Sequence, residues 1–156
     1  MKGIHRILSV LISLIGVVAI VIGVVFIFQG VSKNNMITNR MNVEKVTLAV
    51  NPNNPSQTTQ INDAAAAQKA ADTIASHRRS IAPTYQDLLG GKQFDPTNTK
   101  ELTYAQAMNL ENYLYMAVMA FGLVQVVLGA GAFMILVGLG LGLIGLVLYR
   151  IPAKQT

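Results

Sequence analysis

The sequence has no cysteine, and its few charged residues are unevenly placed. Without cysteine there is no thiol nucleophile, no thiolate metal or haem attachment and no disulfide, so an exported segment would be held by packing alone. Only 12% of the 156 residues are charged, about half the share in an average soluble domain. Two histidines, His5 and His77, are too few for a metal site, which needs three or four converging ligands. No phosphate-binding loop, nucleophile elbow or pair of carboxylates at catalytic spacing appears. The expected catalytic, cofactor-binding and metal-ligating residues are therefore none, and no small-molecule substrate is evident.

Two runs lack charge altogether, residues 7–32 and 112–149. A bilayer core of about 30 Å takes about 20 apolar residues in a helix, so each run is long enough to span it. A helix satisfies its own backbone hydrogen bonds, as lipid requires. The first apolar run, which exits through Gln29, Gly30, Val31, Ser32 and Lys33, is longer than the apolar core of about 7–15 residues in a cleaved signal peptide, so it reads as an uncleaved anchor. Neither span carries a group for an ion path or proton relay. Gln29 and Gln125, near the outer boundary, are suited to hydrogen bonding between helices.

The net charge of +5 comes mainly from the tips, Lys2 and Arg6 before the first run and Arg150 and Lys154 after the second. Short basic flanks stay in the cytoplasm, which places both termini inside and the middle region outside. This distribution also accounts for the basic pI without nucleic acid as a partner.

Glycines recur every seven residues in both runs, at Gly16, Gly23 and Gly30 and at Gly131, Gly138 and Gly145. Small residues at that spacing let two membrane helices approach closely. In an antiparallel hairpin, Gly16 with Gly145, Gly23 with Gly138 and Gly30 with Gly131 share one register, their numbers summing to 161. The remaining glycines, with Ser9 and Ser13, are free for a second packing face.

The second run is nearly twice as long as a bilayer is thick. With Tyr149 and Arg150 anchoring its inner end, the outer surface falls near Gly129, and residues 112–128 continue beyond it as an apolar helix. The continuation of the first helix at Met36, Ile37 and Met41 is one cover for that surface, the alanine-rich helix of the loop a second, and a partner protein a third. Tyr113, Tyr115, Met116, Met119 and Phe121 are the expected partner contacts, since aromatic residues and methionine are enriched in interface cores. The methionines are soft enough for copper(I) but equally suit packing, which is the simpler reading.

Between the runs, residues 43–50 read as a short strand and residues 51–60 as turn and loop. Asn62 or Asp63 caps a helix to about Arg79, residues 80–97 are irregular, and a new helix starts near Thr99 or Thr103 and enters the second span without a break. His77, Arg78 and Arg79 suit the negative end of the loop helix.

Four features together resemble a group of small two-span bacterial membrane proteins often labelled aromatic ring-opening dioxygenases. They are the N-terminal anchor, Glu44–Leu48 (EKVTL), Ala71–His77 (ADTIASH), and Ala107-Met108 leading into MAVMAFGLVQVVLGAGAFMILVGLGLGLIGLVL. The resemblance implies a hairpin with an exported loop and carries no established activity. The label itself requires iron held by two histidines and a carboxylate. His5 and His77, placed on opposite sides of a bilayer, cannot share an iron.

The expected fold is an all-α membrane protein, an antiparallel two-helix transmembrane hairpin with a small, mainly helical extracytoplasmic loop domain. Its divisions are a cytoplasmic flank (1–6), a first span (7–31), the loop domain (32–111), a protruding helix (112–128), a second span (129–149) and a cytoplasmic tail (150–156). The expected role is non-catalytic, a structural or accessory subunit of a plasma-membrane complex whose partners are the lipid bilayer and other subunits, identical or different. The alternative is a homo-oligomeric small channel or mechanosensitive pore.

Overall fold

A computed structural model describes residues 2–45, 47–51 and 54–150. Two helices dominate it, α1 (Lys2–Val43) and α4 (Thr99–Arg150), both long and apolar enough to cross a membrane. At 42 and 52 residues they run about 63 and 78 Å. Neither contains proline, and the glycines within them cost little once the flanking apolar residues are packed.

Between them lie β1 (Thr47–Asn51), β2 (Asn54–Gln60), α2 (Ala64–Ile81) and α3 (Tyr85–Leu89). The strands pair antiparallel with Thr47 opposite Gln60 and Ala49 opposite Thr58, and the register shifts between Ala49 and Asn51. The expected strand at residues 43–50 thus starts later, because α1 continues through Val43. The segment read as loop supplies its partner strand. Asn, Pro, Ser, Gln and Thr give β2 no apolar alternation to mark it as a strand in the sequence.

The helix ends follow local chemistry. Asp63 caps α2, its carboxylate accepting from the Ala66 N–H at 2.7 Å. Ala82, extended as a residue before proline must be, ends that helix at Pro83. Thr84 caps α3, and Gly90 closes it in the left-handed conformation at φ 55°. Asn98 starts α4, its side-chain oxygen accepting from the Lys100 N–H at 3.0 Å and its side-chain amide donating to the Glu101 carboxylate at 2.8 Å.

The chain divides into two compact units. The first holds residues 1–33 and 124–156, its described part being the apolar stretches of α1 and α4. The second, residues 34–123, has its own core of Ile61, Ala67, Ala70 and Ala71 against Leu114, Ala117 and Phe121, flanked by Ile37 and Met41. Alanine on the buried face of α2 lets that helix lie close to α4.

Candidate functional site

In the first unit, α1 and α4 meet backbone to backbone. A Cβ built on Gly16 would lie 2.7 Å from the Gly138 carbonyl oxygen, and one on Gly23 would lie 2.6 Å from that of Gly131. Gly131 and Gly138 are as crowded in return, by Ile27 and Ile20 as well as by the facing glycines. Gly145 faces the backbone and hydroxyl of Ser13 and the carbonyl of Ser9, whereas Gly30 faces the Leu128 side chain. Gly122, Gly129, Gly140 and Gly142 have open space where a Cβ would stand.

All six heptad glycines therefore lie on the contact, but their pairing differs from the one expected. Gly16 meets Gly138, not Gly145, and Gly23 meets Gly131, not Gly138, a shift of seven residues. The reason lies in the charges. The expected register sets Arg150 opposite Leu11 and Lys154 opposite Ile7, while the observed one overlaps the two uncharged runs more fully and brings Arg6 beside Tyr149. It also draws Ser9 and Ser13 into the contact instead of leaving them for a second face. Ser9 is 1% exposed, and its hydroxyl donates to the His5 carbonyl at 2.8 Å.

At one end of this unit the Arg6 guanidinium sits 5.6 Å over the Tyr149 ring. Gln29 and Gln125 fall at a common level near the other end, both exposed. Between these levels the outward side chains are almost entirely apolar, Leu14, Val17, Val21, Phe28, Phe133, Leu136 and Leu143 among them.

In the second unit, the five expected partner contacts separate. Phe121 is only 2% exposed and belongs to the unit's own core. Tyr115 also turns inward, its hydroxyl donating to Asp72 Oδ1 at 3.0 Å. That hydrogen bond pushes the Tyr115 phenol above its ordinary pKa, with desolvation and the Asp72 charge acting in the same direction. Phe121 is therefore removed from the expected interface, and Tyr115 is largely committed to α2. The continuation of α1 and the alanine-rich α2 both cover this part of α4, since helices on two sides bury more apolar area than either alone. Tyr113, Met116 and Met119 remain outward, joined by Leu123, at 51–68% exposure. Met41 packs against the core, as a methionine filling a gap does.

A polar cluster in the same unit escaped the sequence. Arg78 Nε donates to Glu111 Oε2 at 2.7 Å, the one ion pair among the described residues. Arg78 also donates to the Tyr104 hydroxyl, and its guanidinium lies 4.9 Å from the centre of that ring. Tyr104 is fully buried, and Tyr85 of α3 packs near it with ring centres 6.1 Å apart. The hydrogen bond to Glu111 raises the Arg78 pKa further, against the opposing effect of desolvation. The nearest sequence signal is Glu111 itself, the acid that directly precedes the uncharged run 112–149.

His77 sits on the exposed side of α2 with Lys69 and Ser76 along a shallow open depression. Among the described residues, no three histidine, aspartate or glutamate side chains converge as metal ligands. No family model matches the chain, and no curated protein or solved structure does.

Proposed function

We propose that this chain is a two-span integral membrane protein of the plasma membrane, non-catalytic, acting as a structural or accessory subunit. Both termini lie in the cytoplasm, and the second unit lies outside. The observation that carries the reading is the outward surface of the first unit. Only 11% and 17% of the most apolar windows of α1 and α4 are buried within the chain. A core helix of a soluble fold would be covered by its own chain, and water does not tolerate so large a contiguous apolar surface. Lipid covers it at no cost in hydrogen bonds.

The levels of Arg6 with Tyr149 and of Gln29 with Gln125 then mark the two faces of the membrane. They are 23 or 24 residues apart along each helix, about 35 Å, which fits a hydrocarbon core with its interfaces. The second span accordingly begins near Gln125, a turn earlier than the glycine at 129. Beyond it, Tyr113, Met116, Met119 and Leu123 form the face offered to another membrane subunit.

Alkaline carbonate extraction should leave the full chain in the membrane pellet, and release into the supernatant rejects the span reading. On native gels after mild extraction, the wild type should migrate with partner subunits, and Met116→Asp with Met119→Asp should release them while insertion persists. A closed ring of five or more identical copies, unaffected by that double change, replaces the accessory reading with a pore.

A further inference from the structure

All seven acidic residues of the chain fall between positions 44 and 111, so the first unit contains none. Its basic residues thus have no acidic side chain within the unit. At the Arg6 end, the surface where α1 and α4 meet beside Gly145 carries a groove of about 310 Å³. Val10, Leu14 and Val17 line it from α1, and Leu146 and Tyr149 from α4. Gly145 itself is packed against Ser13 and Ser9, and the groove runs beside that contact. The groove follows α1 for about eight residues, or ~12 Å, and Arg6 stands over the Tyr149 ring at its mouth.

The floor has little to offer a polar ligand. The Ser9 hydroxyl is already donated to the His5 carbonyl, and Ser13 is turned onto Gly145. A bound molecule must therefore be apolar along the groove and anionic at its mouth. We propose that this groove is a site for an anionic phospholipid, with one acyl chain along Val10, Leu14 and Val17 and the phosphate held at Arg6. A guanidinium held over an aromatic ring, with no carboxylate side chain to pair it within the unit, has N–H groups to donate to phosphate oxygens. The proposal rests on the two-span reading, which puts this end in the cytoplasmic leaflet.

The test is lipid retention by the full chain. Protein is incorporated into nanodiscs of equal phosphatidylglycerol and phosphatidylcholine, released into mild detergent and weighed by native mass spectrometry. Phosphatidylglycerol should be retained about fivefold over phosphatidylcholine, the effect of one basic side chain near an anionic surface. Arg6→Gln should bring the ratio to parity, Arg6→Lys should keep most of it, and Arg40→Gln, in the second unit, should leave it unchanged. Leu14→Trp should reduce retention of both lipids by filling the groove. Equal retention in the wild type overturns the site, as does an enrichment that survives Arg6→Gln. A chain that does not co-elute with the nanodiscs overturns the span reading and the site with it, which separates the two failures.

Discussion

Arg78 Nε and Glu111 Oε2 lie 2.7 Å apart, joining α2 to α4 across 33 residues of sequence, with side chains only 12% and 10% exposed. Removing one partner of so enclosed a pair leaves a charge without compensation, whereas removing both does not. Glu111→Leu should cost the second unit about 2–3 kcal/mol. Arg78→Met with Glu111→Leu should cost less than the two single changes added together. Hydrogen exchange along residues 64–81 reads the effect, and equal exchange in wild type and Glu111→Leu would show that the pair contributes nothing.

The hydrogen bond from Tyr115 to Asp72 has a signed pH dependence. The folded phenol titrates above its unfolded value, so the contact contributes fully below the unfolded pKa and is lost as pH rises through the folded one. In an alkaline titration followed by phenolate absorbance, the step missing from Tyr115→Phe should lie above the ordinary tyrosine range. Asp72→Ala should move that step down. A step at the ordinary value in the wild type contradicts the bond.

The glycines of α4 should divide into two groups. Gly131→Ala and Gly138→Ala place a Cβ within 3 Å of the α1 backbone, an overpacking that costs about 1–3 kcal/mol. Gly129→Ala and Gly140→Ala meet open space and should be neutral or slightly stabilising. Unfolding of the purified chain by titration with a denaturing detergent distinguishes the groups. The same loss at all four positions would mean that helix flexibility, not contact, is being measured.

Orientation is open to chemistry in intact cells. Cysteine at Thr58, on the β-hairpin, should react with an impermeant thiol reagent. Cysteine at Lys154, which lies outside the described residues, should not. The opposite labelling pattern reverses the topology drawn from Lys2, Arg6, Arg150 and Lys154.

What could be read from the sequence depended on how local its cause was. The uncharged runs and the cap at Asn62 or Asp63 are local signals, and helices form there, with Asp63 as the cap; α2 runs past Arg79 to Ile81, and the segment read as irregular holds α3. The glycine faces were equally legible, but their register was not. A seven-residue repeat superimposes on itself when slid by seven, and only the positions of Arg150 and Lys154 separate one register from the next. β2 was hidden because Asn54–Gln60 has turn composition and takes its strand from a neighbour. The Arg78, Glu111 and Tyr104 cluster had no local signature, since α2 and α4 must pack before those side chains meet. Phe121 and Tyr115 were misplaced for a related reason. An apolar helix shows which residues seek cover, but not which of them its own chain will reach.

The backbone contact at Gly16, Gly23, Gly131 and Gly138 bears on how this gene tolerates error. Every amino acid one base away from a glycine codon carries a Cβ, so no single-base missense change there is small enough to pass unnoticed. A saturation library selected for membrane accumulation should hold these four positions to glycine. At Gly122, Gly129 and Gly140 alanine and serine should spread freely, so two classes of the same residue on one helix would drift at different rates.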